Sequence, residues 1–319
     1  MFAMGIQTLD AIIGTLAGKR GVMTEQTILL AGATGDLGGR IARALAARGA
    51  AVRALVRPGT PPDTLAELRS LGVEIAGADY GDAAAMRQAC EGVGCVVSAL
   101  SGLEDVLVEA QTRLLEAAVA AGVPRFIPSD FAIDFTRLPP GSNRNLDLRR
   151  AFKERLDRAP VAATSVLCGA FTDMLNGAAP LILFKRRRVL YWQNADQRMD
   201  FTTRDDTAAF TAAAAMDPST PRILRIAGDS RSARELAALM TEISGERYRL
   251  LRAGSLRTLG VLIRIARTVA PQRDALYPPW QGMQYMHDMF DGRGQLQPLD
   301  NGRYPELRWT SAREVLAAP

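Results

Sequence analysis

Histidine is nearly absent from this chain of 319 residues, with one residue at His287, and lysine is scarce, at Lys19, Lys153 and Lys185. A single histidine excludes multi-histidine metal centres and argues against a Ser-His-Asp hydrolase. Cysteine occurs three times, at Cys90, Cys95 and Cys168, with no Cys-x-x-Cys pair. An odd count without that spacing excludes a disulfide framework and makes the cytoplasm the expected compartment. No run approaches the ~18 uncharged apolar residues that span a bilayer, and residues 1–22 lack the basic start and sustained apolar core of a secretory signal. No Tyr-x-x-x-Lys pair stands at any tyrosine.

Charge is nearly balanced, 39 basic against 34 acidic residues, for a net charge of +5. That excess is too small and too scattered for a nucleic-acid footprint. The one basic cluster, Lys185-Arg-Arg-Arg188, lies between the apolar runs Leu181–Phe184 and Val189–Trp192, which reads as a hairpin with a solvated turn. Neither nucleic acid nor membrane is expected as a partner, no metal is expected, and monomer and homodimer both stay open.

The strongest positive signal is Thr27 to Leu45. An apolar run, Thr27–Ala31, reads as a buried parallel strand. A Gly32-x-x-Gly35-x-x-Gly38 turn follows, then a helix with Leu37, Ile41, Ala44 and Leu45 on one face. Gly32 suits the tight turn, Gly35 the close approach of a pyrophosphate, and Gly38 the packing of helix on sheet. Thr34, Asp36 and Leu37 join these glycines as expected cofactor-binding residues, with phosphate facing the free N–H groups of the helix.

Ala51–Val56 reads as the second strand, ending at Arg57, where an NAD site would place an acid. A guanidinium there fits a 2′-phosphate, so NADP is the expected cofactor. Asp79, after the third strand Val73–Ala76, suits either the adenine amine or the acid at a helix N-terminus. Gly94–Leu100 reads as the fourth strand, placing Ala99, Leu100 and Ser101 beside the nicotinamide ribose. A long helix Glu104–Ala121, a fifth strand Arg125–Ser129, a Pro/Gly-rich loop, a charged helix Leu146–Arg158 and a sixth strand Ala163–Cys168 complete the alternation. The expected fold is α/β, a Rossmann-type doubly wound parallel sheet with a smaller α+β substrate lobe. The domain reading is an N-terminal extension at 1–22, disordered and explained by a start at Met23; a cofactor domain at 23–170; and a mainly substrate-covering lobe at 171–319, with strands returning to the main sheet. The lobe's helix Trp280–Phe290 is rich in Met and aromatic residues, suiting either plain core or an aromatic-substrate pocket.

Gly32-Ala-Thr-Gly-Asp-Leu-Gly38, Leu55-Val-Arg57-Pro58, Val97-Ser-Ala-Leu100 and Arg125-Phe-Ile-Pro-Ser-Asp-Phe131 together resemble the NmrA-like atypical short-chain dehydrogenases. Within them the chain looks like the isoflavone reductase-like, or phenylpropanoid reductase-like, branch. Its fifth-strand signature Arg-Phe-x-Pro-Ser-Glu-Phe-Gly is met except at Asp130 and Ala132. The likeness runs on through Phe201-Thr-Thr-Arg-Asp-Asp206 and Tyr304-Pro-Glu-Leu-Arg-Trp-Thr310. The resemblance implies NADPH, with Pro128 and Ser129 in the cofactor site. It also implies a substrate pocket with Phe131, Gly169, Phe171, Met283 and His287. It implies a catalytic lysine at or near Arg149. Arginine stays protonated, so Arg149 can polarise an oxygen but not shuttle a proton; Lys153, one helical turn on, water or a substrate phenol would supply it. A solvated basic helix with Arg149, Arg150 and Lys153 facing water stays open beside that role. Two functions follow. One is NAD(P)H-dependent reduction of a small aromatic or carbonyl-bearing substrate; the other is a non-catalytic NmrA-type redox sensor. A nucleotide-sugar epimerase is weaker, since it too would need Tyr-x-x-x-Lys.

Overall fold

A computed structural model of the chain describes residues 26–177 and 179–318; the expected extension at 1–22 and Met23 lie outside them. Six parallel strands form the main sheet: β1 (Thr27–Ala31), β2 (Val52–Val56), β3 (Glu74–Gly77), β4 (Val93–Ser98), β5 (Arg125–Ile127) and β6 (Ala162–Ala163), in the order β3-β2-β1-β4-β5-β6. The order reverses between β1 and β4, which opens a crevice at their carboxyl ends, where ligands bind in such sheets.

The apolar runs are continuous because both faces of the sheet are covered. Along β1, Ile28 and Leu30 enter one core with Ile41, Leu45 and Phe210. Leu29 and Ala31 enter the opposite core with Met86, Leu114, Phe126 and Phe152. Helices α1 (Asp36–Ala47) and α6 (Arg204–Met216) pack together on the first face. On the other lie α3 (Ala83–Cys90), α4 (Gln111–Ala120) and α5 (Arg144–Leu156). A shorter helix, α2 (Pro62–Ser70), follows β2. The segment expected as one helix from Glu104 begins as a π-helical stretch, Asp105–Ala110, before α4.

The expected sixth strand, Ala163–Cys168, is divided at Thr164. The Thr164 amide donates to Phe126 in β5, and the next amide, Ser165, donates to Arg222. The chain thereby passes from the edge of the main sheet into β7 (Ser165–Leu167), which pairs in parallel with β12 (Ile223–Arg225). A hydrogen-bonding handover carries no hydrophobic signature, and Thr164 and Ser165 suit a continuing strand as well as a divided one.

The second lobe holds β8 (Ala170–Phe171), β9 (Ile182–Leu183), β10 (Arg188–Trp192), β11 (Arg198–Thr202), β13 (Asp229–Ser232) and β14 (Arg249–Gly254) in two three-stranded sheets, β14-β10-β9 and β13-β11-β8. Strands β9 and β10 form the basic-turned hairpin. Helices α7 (Ala233–Ser244), α8 (Leu256–Val269), α9 (Pro279–Asp291) and α10 (Ala312–Ala317) complete the lobe. Its separate core includes Leu181, Trp192, Met199, Leu236, Met286 and Phe290. The expected helix Trp280–Phe290 matches α9 to within one residue at each end, whereas β8, β11, β13 and β14 are too short or too polar to announce themselves, and the described strands from β7 on pair outside the six-stranded sheet.

Candidate functional site

The glycine turn joins β1 to α1, and its three glycines meet different constraints. Gly32 has φ +84°, and a Cβ there would stand 2.7 Å from the Ala99 carbonyl oxygen; at Gly38 it would stand 1.9 Å from the Gly32 oxygen. Both are needed for the protein to close on itself. Gly35 is different: its backbone is extended, and the nearest atom to an added Cβ is the Gly32 oxygen at an ordinary 3.4 Å. Nothing in the protein requires a bare α-carbon at Gly35, so the space belongs to something that approaches from outside.

Helix α1 carries no side-chain cap at Gly35. Its first intrahelical bond is Gly39 N–H to the Gly35 oxygen, 2.8 Å. The N–H groups of Asp36, Leu37 and Gly38 therefore precede the ladder and are left to an external acceptor. The Asp36 carboxylate does not oppose an anion there. It accepts from Arg40 Nε at 2.8 Å and pairs with Arg204 Nε at 3.1 Å, and its pKa is lowered chiefly by the Arg40 hydrogen bond. A cleft of about 210 Å³ opens beside this turn, lined by Thr34, Gly35, Asp36 and Gly39 with Arg43, Thr64 and Glu67. Arg43 pairs with Glu67 across it at 3.2 Å. Uncapped donors, an open Gly35 and this cleft fit a dinucleotide pyrophosphate.

Arg57 projects from the end of β2, exposed, with its carbonyl closing a turn to Thr60. Its charge reaches the Tyr80 hydroxyl, whose pKa burial pushes up and Arg57 pulls partly back. Asp79 is exposed and accepts from the Gly81 amide at 2.7 Å, so it holds the turn that follows β3. Ala99 lies half-buried against Gly32, and its amide donates to Ala31. Ser101 is exposed. Ser129 ties the strand ends together: its Oγ donates to the Leu100 carbonyl at 2.7 Å, and its amide donates to Gln111 Oε1 at 2.9 Å. Pro128 and Ser129 are buried. Gln111, buried in α4 and also donating to Leu107, is a positioning residue that nothing in its sequence context announces.

Arg149 and Lys153 both come from α5, which Asn143 caps through the Leu146 amide at 3.3 Å. Arg149 is half-buried. Its Nη1 donates to the Asn145 carbonyl at 3.0 Å, while its Nε is buried without a partner. Lys153 Nζ is held by Asp157 at 2.5 Å, and Asp157 also accepts from Arg222. The charges of Arg149, Arg222 and Lys153 all bear on Asp130. Asp130 is completely buried; its Oδ2 accepts from Ser165 Oγ at 2.6 Å and its Oδ1 has no partner. Burial raises the Asp130 pKa against the Ser165 hydrogen bond and these cations. The charges of two of the basic residues of α5, Arg149 and Lys153, thus bear on one buried carboxyl just past β5.

The expected substrate residues divide between the two lobes. Phe131 and Phe171 pack on the core of the main sheet, and Phe171 carries the Arg204 guanidinium over its ring at 4.7 Å. Arg204 therefore links Phe171 to Asp36 at the glycine turn. Gly169 has φ +70°, and a Cβ would stand 2.3 Å from the Asp200 carbonyl oxygen, so β11 requires that glycine irrespective of any substrate. Met283 packs in the second core, and His287 Nδ1 lies 3.5 Å from Asp288 Oδ1. Between them α9 presents a polar stripe to α5. Gln281 donates to Asn143, Gln284 accepts from the Arg144 amide, and Asp288 accepts from Asn143. The three thiols are buried and unpaired, and burial pushes Cys95 up to about 11 and Cys168 up to about 12, which removes thiolate chemistry. Among the described residues no acid, His or Cys cluster could hold a metal, and no helix is long and apolar enough to cross a membrane.

Comparison with known proteins agrees with this geometry. Pinoresinol reductase 1 of Arabidopsis thaliana is 31% identical over 215 residues, 62% of this chain and 67% of that protein. The crystal structure of isoflavone reductase superimposes with a TM-score of 0.76 at 23% identity, covering 92% of this chain and 99% of the other. The leucoanthocyanidin reductase–NADPH binary complex of Vitis vinifera gives 0.73 at 21% identity, covering 90% and 97%. Residues 24–260 match the NmrA-like family model. With the glycine turn, the Pro128-Ser129 pin and the sheet order all in place, the chain belongs to the NmrA-like family.

Proposed function

We propose that this chain is an NADPH-dependent reductase of a small aromatic or carbonyl-bearing substrate. The observation that carries the reading is the uncapped start of α1 beneath an open Gly35, a cradle that the protein's own packing does not explain. Arg57 meets the 2′-phosphate, and Thr34 and Asp36 border the pyrophosphate. Asp79 reaches the adenine side, while Ala99, Leu100 and Ser101 follow the nicotinamide ribose. The reductase name of the Arabidopsis relative and the NADPH held in the leucoanthocyanidin reductase complex support the same assignment. The described residues up to Ala170 form the cofactor half and those from Phe171 on mainly the covering half.

Bound NADPH supplies the hydride. Arg149 holds and polarises the substrate oxygen, and the bond from its Nη1 to the Asn145 carbonyl fixes the guanidinium in place. Lys153 can deliver a proton only by exchanging Asp157 for the substrate, whereas water or a substrate phenol needs no exchange. Phe131, Phe171, Met283 and His287 offer the apolar surface a ring requires. Three buried, unpaired thiols suit the cytoplasm.

The test is NADPH oxidation by purified protein against ketones, quinones and phenolic ethers. Turnover of any class supports the enzyme. Tight NADPH binding with no turnover across the panel supports the redox sensor instead, a reading favoured by Arg149 where a titratable lysine would serve proton transfer.

A further inference from the structure

A second cleft, of about 320 Å³, lies where α5, α8 and α9 meet, and it shares no residue with the cleft at the glycine turn. Its walls are Arg144 at the start of α5, Arg267 in the last turn of α8, Pro271 and Arg273 in the loop that follows, and Trp280 in α9. Trp280 is buried, its indole Nε1 donates to the Pro271 carbonyl at 2.9 Å, and two guanidiniums flank its ring, Arg144 at 4.8 Å and Arg267 at 5.3 Å.

Stacking on Trp280 explains the posture of two guanidiniums but not the gathering of three charges. No carboxylate lines the cleft. From Arg247 to Arg273 the sequence carries seven arginines and no acid. Arg144 is fixed in place: its Nε donates to Asn145, and its two Nη atoms donate to the carbonyls of Arg273, Ala275 and Leu276. Burial chiefly disfavours its protonated form; Tyr285 opposes this, and the neighbouring Arg267 charge adds to it. Like charges packed without a counter-ion oppose one another, and an anion in the cleft would relieve that repulsion. Arg267 and Arg273 are exposed, and among the described residues their guanidiniums make no hydrogen bond, which leaves their donors free.

The geometry points to a binding site for a small oxyanion, a carboxylate or phosphate group, held by Arg267 and Arg273 against the fixed charge of Arg144. The flat Trp280–guanidinium wall suits an anion carried on a planar group. This site is independent of the proposed reductase activity.

Calorimetric titration of the NADPH-free full chain at low ionic strength, with benzoate and separately with inorganic phosphate, tests it. The unsubstituted protein should bind at least one of the two. Arg267→Gln and Arg273→Gln should each weaken that binding by about tenfold, the loss expected for one charge-assisted contact. Both variants should keep the circular dichroism spectrum and NADPH affinity of the parent. Benzoate alone identifies a planar carboxylate, and binding of both identifies a general oxyanion site. A phosphate signal that survives in the double variant belongs to the glycine turn. If neither probe binds, or every signal the parent gives survives undiminished in the variant carrying both Arg267→Gln and Arg273→Gln, the proposal is overturned.

Discussion

Gly38 lies so close to Gly32 that a Cβ on Gly38 would stand 1.9 Å from the Gly32 carbonyl oxygen, whereas a Cβ on Gly35 meets nothing nearer than 3.4 Å. The two glycines of one motif therefore answer to different demands, the first to folding and the second to ligand. Gly38→Ala should destabilise the protein by at least about 1–3 kcal/mol, the cost of overpacking against rigid backbone. Gly35→Val should leave thermal unfolding nearly unchanged while abolishing NADPH binding by calorimetry. Equal effects of the two substitutions on stability would dissolve the distinction.

Arg57 ends β2 with an exposed side chain, and the 2′-phosphate is the partner assigned to it. Removing one charge-assisted phosphate contact costs roughly 1.5–3 kcal/mol. Arg57→Ala should therefore weaken NADPH binding by about tenfold to a hundredfold and leave NADH nearly unaffected. Parallel losses for both cofactors, measured by fluorescence titration, would move the phosphate contact elsewhere, with Arg43 on the cleft wall as the next residue to substitute.

Arg149→Met should lower turnover by about 10²–10³, the usual effect of removing one positioned electrostatic donor. Lys153→Met separates two proton routes. A loss of about 10²–10⁴ in kcat assigns it the proton, and parental kcat assigns the proton to water or the substrate phenol. Parental kcat in Arg149→Met would remove α5 from the chemistry.

Asp130 supplies a test that needs no substrate. Burial raises its pKa in the folded protein, so the fold binds this proton more tightly than the unfolded chain does. That contribution to stability is complete below the ordinary carboxylate range and is lost as pH rises through the raised value. Asn at this position can still accept from Ser165 Oγ but cannot ionise. Asp130→Asn should thus gain thermal stability relative to the parent as pH rises from acid to neutral. A difference that stays constant with pH would show that Asp130 ionises normally.

The main sheet was legible because each central strand is covered on both faces, so burial wrote itself as continuous apolar runs such as Thr27–Ala31 and Val93–Ser98. The glycine turn was legible because its spacing is set by backbone geometry. The surroundings of Arg149 were not. Asp130, Ser165 and Arg222 come from three separate strands or their ends, and their meeting depends on the handover at Thr164. Polar residues also hide their role: Gln281, Gln284 and Asp288 repeat on one face of α9 as an exposed stripe would, yet all three are buried against α5. Arg125 is similar, since a strand-edge arginine proves to hold the Ala214 and Ala215 carbonyls at the end of α6.

The central claim is hydride transfer from NADPH, and the most direct measurement follows deuterium from NADPH dideuterated at C4 into product by mass spectrometry, using whichever ketone or phenolic ether is consumed. One deuterium per product molecule, with loss of transfer in Arg149→Met and in Gly35→Val, is the predicted result. NADPH that binds tightly yet leaves no label in any product would contradict the reductase and leave the chain a sensor of the nicotinamide pool.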